Sequence, residues 1–375
     1  MKLALTVKTK LQFDGRVLSQ VYTLAKAHPD WQIVIFLISD GGGKVELPEN
    51  VEVREMKLWT RNLPKSSFFQ AIKMFESALI LNIKLLKFKP DVLHVHDEPA
   101  ILGPIFYKKI NKKVKLVYDD HELRNLDKHL VGKDKLMANL ENRMFKIADT
   151  IIMANDYRRD YAIKHSSLIS KQKDKIEIIS NFPFSKKETN KSKRPAILQD
   201  NSIKYLLHQS VAISEDRGKQ ILIETLKRLP DDWKLVIIGV NEEAFNNFMK
   251  GNEHLKEKVI FGGFIPYNEL EEIWKIVDAA VIFYETTKIN NRLCAPNRLY
   301  LAANHGIPLI VNDNPVLKDF VENTKSGVVV KNDYSEIDRF FSSFNEIQFS
   351  SNKLKGEFTY DSQAEKLVKI YDQLI

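Results

Sequence analysis

The decapeptide Asn291-Arg292-Leu293-Cys294-Ala295-Pro296-Asn297-Arg298-Leu299-Tyr300 sets two amides, a proline and a guanidinium at the head of a helical pattern. Pro296 suits the first turn of a helix, where no N–H partner is needed. Asn297 then stands among unpaired backbone donors, and Arg298 adds a fork of donors. A helix start beside an arginine is a ready seat for a diphosphate. Arg217-Gly218-Lys219 repeats the arrangement ahead of a helix at 220–228, with Gly218 allowing close backbone approach. Such cations would neutralise a bound diphosphate. The plainer reading of Arg217-Gly218-Lys219 is a loop with surface cations.

In the first half, Tyr118-Asp119-Asp120-His121-Glu122-Leu123 follows an apolar run. His121 there would donate to a sugar hydroxyl or steady developing charge. Alternatively Asp120 caps a following turn and Glu122 lies in its first turn. His94 and His96 share one strand face, but two ligands do not make a metal site and no third is evident. A non-metal role is preferred, with Asp97 or His96 lining the cleft. Asp14-Gly15-Arg16-Val17 precedes a helix at 18–27; Arg16 reads either as a contact to an acceptor or phosphate, or as a surface arginine at a helix start. Gly41-Gly42-Gly43-Lys44 lacks the Ser/Thr of a phosphate-binding P-loop and reads as a turn.

The elements that must position these groups are legible as alternation. Strands are expected at 3–7, 32–38, 92–96, 115–118, 150–153 and 176–179, then at 204–207, 234–238, 259–261, 279–283, 308–311 and 327–330. Near-continuous Val/Ile/Leu runs argue strands buried on both faces of parallel sheets. Two series interleaved with helical patterns mean an α/β chain with two doubly wound, Rossmann-like sheets. The run 279–283, the polar loop, the helix stopped at Gly306-Ile307-Pro308 and the run 309–311 form one right-handed βαβ unit, and ligands bind at the carboxyl edge of such sheets. Ser185 to Pro195 has no apolar residue and reads as an exposed linker.

At 375 residues the chain fits two domains of ordinary size, and 44% hydrophobic with 28% charged residues is a globular composition. One cysteine excludes an internal disulfide and fits a reducing, cytoplasmic compartment. The opening residues read as a first strand rather than a signal peptide, and no apolar run reaches membrane-spanning length. A net charge of +8 points to an anionic partner. The basic residues are dispersed, so nucleic acid is not the expected one. The segment from Phe68 to Lys89 is very apolar with Lys73, Lys84 and Lys87, preceded by Trp59, Arg61 and Lys65. It reads chiefly as a helix buried all round, and alternatively as one lying on an anionic membrane surface.

Taken together, these motifs resemble the GT4 (group 1) glycosyltransferases of the GT-B fold. The resemblance rests on Cys294-Ala295-Pro296-Asn297-Arg298-Leu299-Tyr300 with Gly306-Ile307-Pro308, on Arg217-Gly218, on Phe261-Gly262-Gly263-Phe264-Ile265-Pro266, on Tyr118 to Glu122, on Asp14 to Val17, and on Ile178 to Pro183. It implies two Rossmann-like domains facing across a cleft: 1–184 on the acceptor side, a linker at 185–202, a nucleotide-sugar domain at 203–358, and a helix at 359–375 packing back towards the first domain. It implies a retaining, metal-independent enzyme with no cofactor. A nucleoside-diphosphate sugar is the donor, and a saccharide or lipid-linked saccharide the acceptor, in surface polysaccharide synthesis, in the cytoplasm or at the inner membrane face.

The implied catalytic residues are His121 and Glu122. The implied donor contacts are Arg217, Gly218, Lys219, Gly263, Phe264, Glu285, Asn291, Pro296, Asn297, Arg298 and Leu299. Asp14, Arg16 and Asp97 fall on the acceptor side. The chain departs from the family where a ribose-binding glutamate is usual: Leu301 stands there, and Leu293 replaces its acidic partner. A leucine accepts no hydrogen bond, so another acceptor is required, with Glu285 the nearest spare carboxylate by topology. The alternative is a catalytically degenerate sugar-nucleotide-binding or assembly protein of the same fold.

Overall fold

A computed structural model describes residues 1–39, 45–64, 66–97, 100–124, 126, 130–183, 195–265 and 267–375. The Gly41–Lys44 turn, Lys65, most of the basic linker (185–194) and Pro266 lie outside the described residues. The chain divides into two compact units, Met1–Ser180 with Asp361–Ile375, and Asn181–Tyr360.

The first unit is a parallel sheet of strands β1 (Lys2–Thr9), β2 (Gln32–Ser39), β3 (Val51–Glu55), β4 (Val92–His96), β5 (Lys115–Asp120), β6 (Thr150–Met153) and β7 (Ile176–Ile178). Among the described residues their order is β3-β2-β1-β4-β5-β6-β7. The second unit holds β8 (Lys204–Gln209), β9 (Trp233–Ile238), β10 (Val259–Gly263), β11 (Ala279–Ile282), β12 (Leu309–Asn312) and β13 (Gly327–Val330), ordered β10-β9-β8-β11-β12-β13. Each order reverses once, at β1/β4 and at β8/β11. Those switch points open a crevice at the carboxyl ends of the strands, where α/β folds bind ligands.

Burial explains why the central strands form. Residues 3–7 of β1 are buried throughout, as is all of β4, β6 and β11. One core packs Leu3, Leu5, Val17, Val21, Leu24, Ile33 and Ile35 with Leu367 and Tyr371 of the last helix, Asp361–Leu374. The other packs Leu206, Leu222, Leu226, Leu235, Ile237, Val281 and Phe283. Each fully buried Leu, Val or Phe contributes about 1.5–3 kcal/mol.

Several expectations change. β3 is absent from the sequence-based strand list because it is an edge strand, half-exposed, with Glu52, Arg54 and Glu55 interrupting its apolar residues. The helix after β1 begins at Gly15 rather than Leu18, because the Asp14 side chain accepts from the Val17 N–H at 3.0 Å and caps it. Asp120 ends β5, is 4% exposed and caps no helix among the described residues. The helix Ser67–Phe88 is not buried all round. Ser77, Ala78, Leu81, Asn82, Leu85 and Phe88 face inward, while Phe68, Phe75, Leu79, Ile83 and Leu86 are exposed. Within 195–202, Leu198 is fully buried, so that stretch packs rather than floats.

Candidate functional site

In the second unit the switch point brings together the ends of β8 and β11 and the starts of two helices. After β8 the chain makes a short 3-10 turn, Glu215–Arg217, and enters the helix Lys219–Lys227 through Gly218 at φ +69°. A Cβ on Gly218 would sit 2.4 Å from the Phe283 Cβ, so only glycine lets this turn lie against β11. The N–H groups of Gly218 and Lys219 bond to Glu215 and Ser214 carbonyls at 3.0 and 3.1 Å. Those two donors, expected to face a ligand, are therefore used by the turn itself.

The second helix is Asn297–His305, with Pro296 at the N-cap rather than inside the first turn and no side-chain cap. The backbone donors of Asn297 and Arg298 have no intrahelical acceptor by geometry. Leu299 is fully buried and holds the helix to the core, so its place in the motif is packing. Gly306, at φ +66°, ends the helix in the left-handed region.

Tyr284, 7% exposed, is in contact with both arginines. The Arg217 guanidinium carbon lies 4.4 Å from its ring centroid and that of Arg298 5.6 Å. Arg298 also donates through Nη2 to the Tyr284 hydroxyl at 2.9 Å and through Nη1 to the Gln209 carbonyl. Among the described residues neither guanidinium has a carboxylate partner within ion-pair distance. Two unneutralised cations on one aromatic ring repel each other, and an anion between them relieves that repulsion. Asn312 fixes the ring's backbone: its Oδ1 accepts from Tyr284 N at 2.9 Å and its Nδ2 donates to Tyr284 O at 2.6 Å. Gln209 Oε1 accepts from Trp274 Nε1 at 2.8 Å.

The other predicted donor residues have definite places. Glu285 is not spare: its carboxylate accepts from the Thr287 N–H and, at 3.3 Å, from the Lys288 N–H. Asn291 contributes its carbonyl, which accepts from Asn314 Nδ2 at 2.7 Å. Gly263, at φ +61°, lies at an irregularity of β10, and its carbonyl accepts from Gly239 N at 2.7 Å. The Phe264 side chain is exposed. Lys219 occupies the first position of its helix and is half-buried. Tyr284, Gln209, His208 and Asn312 were not singled out by the sequence.

In the first unit, β4 and β5 carry a second cluster. Asp119 is fully buried and receives Arg16 at 2.7 Å on Oδ1 and 3.0 Å on Oδ2, and Gln20 Nε2 at 2.6 Å. Arg16 also donates to the Ile179 carbonyl at 2.7 Å. Arg16, read either as a contact to an acceptor or phosphate or as a surface arginine, is engaged in this internal ion pair with its side chain 9% exposed. His121 lies between two carboxylates: Nδ1 is 2.9 Å from Asp97 Oδ2 and Nε2 3.3 Å from Asp119 Oδ2. Asp97 reaches it from a left-handed backbone, φ +57°, and its Oδ1 also accepts from His121 N at 2.8 Å. Burial opposes the charged ring, but Asp97 and Asp119 outweigh it and raise the His121 pKa to about 10. His121 is therefore an imidazolium, with Nδ1 at Asp97 and Nε2 shared between Asp119 and the His96 Nδ1, 3.1 Å away. It is unsuited to act as a general base. Asp14 serves as a helix cap, and Glu122 is exposed.

His94, His96 and Asp119 bring one donor atom each within 4.8 Å of one another, so a third ligand exists that the sequence did not reveal. The set does not suit a cation. Both Asp119 oxygens already serve Arg16, and a divalent ion there would face its guanidinium. Burial keeps His94 neutral with a pKa of about 4 against the opposing pull of Asp119, and burial with the neighbouring His94 and His121 pushes His96 well below its usual range. His94 Nδ1 instead meets the Tyr371 hydroxyl at 2.6 Å.

Comparison with known proteins accords with this geometry. Residues 18–182 match the family model described as Glycosyltransferase Family 4, and residues 191–347 match Glycosyl transferases group 1. The chain belongs to the GT4-like, group 1 glycosyltransferases. No curated protein sequence matches it. Among solved structures, this glycosyltransferase is similar to a sucrose-phosphate synthase from Thermosynechococcus elongatus (TM-score 0.76, 14% identity, covering 100% of this chain and 99% of that one). It is similar to a glycosyltransferase from Rickettsia africae (0.70, 15%, 100% and 98%) and to Anabaena HepE in complex with UDP-glucose (0.68, 14%, 100% and 100%). At these identities the likeness establishes the GT-B fold.

Proposed function

We propose that this glycosyltransferase takes a sugar from a nucleoside-diphosphate donor and passes it to a saccharide or lipid-linked saccharide, with retention of configuration and without a metal, in surface polysaccharide synthesis. The observation that carries the donor reading is the pair Arg217 and Arg298, both on the Tyr284 ring with no carboxylate partner among the described residues, Arg298 at a helix start. That arrangement suits a diphosphate, and the HepE complex shows a protein of this fold with UDP-glucose. On departure of the sugar, charge builds on the diphosphate, and the two guanidinium groups are already in place to receive it. The first unit would take the acceptor, with His121 held as a cation by Asp97 and Asp119.

A panel of nucleotide sugars, with transfer and hydrolysis both followed, tests this; activity persisting in EDTA is expected. A degenerate, binding-only protein is the second reading. It is favoured by Leu301 in place of an acidic residue and by the engagement of Glu285 with its own turn. Tight binding of a donor without turnover would select it.

The exposed stripe Phe68, Phe75, Leu79, Ile83 and Leu86 gives the membrane reading its support. Lys84 and Lys87 lie on the same helix beside Arg54. Apolar side chains rimmed by cations fit the surface of an anionic bilayer. No helix among the described residues is long and apolar enough to cross a membrane.

A further inference from the structure

We propose that the imidazole of His208 is a further ligand contact of this site and donates an N–H to the diphosphate held by Arg217 and Arg298. The inference rests on the donor reading above and adds a residue to it. His208 is the last residue but one of β8, next to Gln209, whose carbonyl holds Arg298. It is 2% exposed, and among the described residues neither Nδ1 nor Nε2 has a hydrogen-bond partner. Buried polar atoms are nearly always paired, so two unpaired nitrogens on one ring call for a missing partner. Packing alone does not ask for histidine here: Leu206 and Leu207 precede it, and a leucine would fill a strand position without leaving a polar atom unmet.

The charged groups that act on His208 are Arg298 and Arg217, the two cations of the cradle. With burial, they hold the ring neutral, at a pKa of about 3. A neutral imidazole keeps one N–H, and beside two guanidinium groups the natural acceptor is the anion they attract. A second buried polar atom, at the start of the helix that carries Arg298, is also unmet among the described residues. Asn297 Oδ1, on the residue before Arg298, has no partner among the described residues. It is an acceptor, so the same ligand must offer a donor such as a hydroxyl. A phosphate ester of a polyhydroxyl compound satisfies both, while inorganic pyrophosphate satisfies only His208.

The test is calorimetric titration of UDP and of inorganic pyrophosphate into the wild type, His208→Phe and His208→Gln, with melting curves as a check on folding. His208→Phe should weaken both ligands roughly 10- to 100-fold, and His208→Gln, which keeps an N–H, should stay within about fivefold of wild type. Imidazole 15N–1H spectra of the wild type should show the His208 N–H signal moving as UDP is added. That reading needs no variant. Wild-type affinity in a folded His208→Phe, or an unmoved His208 signal at saturating UDP, overturns the inference and leaves the donor site standing. A wild type that binds neither ligand overturns the donor site and His208's place in it together.

Discussion

At the residue scale, the account turns on the contrast between two kinds of arginine. Arg16 is matched to Asp119 and is structural. Arg217 and Arg298 share a ring instead of a carboxylate. Arg298→Ala should lower affinity for UDP by about 1.5–3 kcal/mol, the worth of a charge-assisted hydrogen bond, with titration calorimetry as the measure. Tyr284→Phe removes only the hydroxyl that meets Arg298 Nη2, so it should weaken UDP by about 1 kcal/mol. Tyr284→Ala, which also removes the ring both cations lie on, should cost more. Equal losses in the two variants would show that the ring has no part in placing the cations. Arg217 and Arg298 were legible in the sequence because each stands beside a glycine or proline that announces a helix start. Tyr284, Gln209 and His208 were not, since they end apolar strands whose pattern reports burial. Only the adjacency of β8 and β11 makes them neighbours of the arginines.

At the scale of elements, a single glycine decides how the turn before Lys219–Lys227 lies on β11. Gly218→Ala adds a Cβ that both meets Phe283 and resists φ +69°. It should destabilise the protein by about 1–3 kcal/mol in urea unfolding and weaken UDP binding by displacing Arg217. The helix Ser67–Phe88 carries a separate prediction. Replacing Leu79 and Ile83 by Glu should abolish sedimentation with anionic vesicles while leaving UDP affinity unchanged; retained sedimentation, or sedimentation indifferent to lipid charge and salt, would remove the membrane reading. The period of this helix was legible, but which of its faces meets the core was not. Its sequence is apolar on most sides, and only packing against the helix Leu102–Ile110 separates inside from outside: a Cβ at Gly103 would approach Leu81 to 2.7 Å. β3 escaped for the converse reason. An edge strand with one wet face carries charges that break the apolar run by which the buried strands are found.

At the scale of the whole molecule, buried histidines couple stability to pH in opposite senses. His94 and His208 have folded pKa values of about 4 and about 3, below the unfolded value of about 6.5. Their contribution is complete above pH 6.5 and is lost as pH falls from there towards 4 and then 3, because the unfolded chain binds protons that the folded one refuses. For His94 the loss amounts to about 3 kcal/mol. His121, raised to about 10, works the other way: its contribution is complete below pH 6.5 and fades as pH rises towards 10. Urea unfolding should therefore show stability falling on both sides of neutrality. His94→Phe should flatten the acidic limb and Asp97→Asn the alkaline one, and limbs of unchanged slope would contradict these assignments. The two-sheet α/β order was legible because a Rossmann pattern repeats twice along the chain. The histidine network was not, because His94, His121 and Tyr371 are far apart in sequence and meet only where β4, β5 and the last helix converge.

The most direct test of the central claim is a crystal structure of the protein with UDP bound. The diphosphate should lie within hydrogen-bonding distance of both Arg217 and Arg298, at the start of the helix Asn297–His305. A nucleotide bound elsewhere, or with its phosphates turned away from those two guanidinium groups, would contradict it.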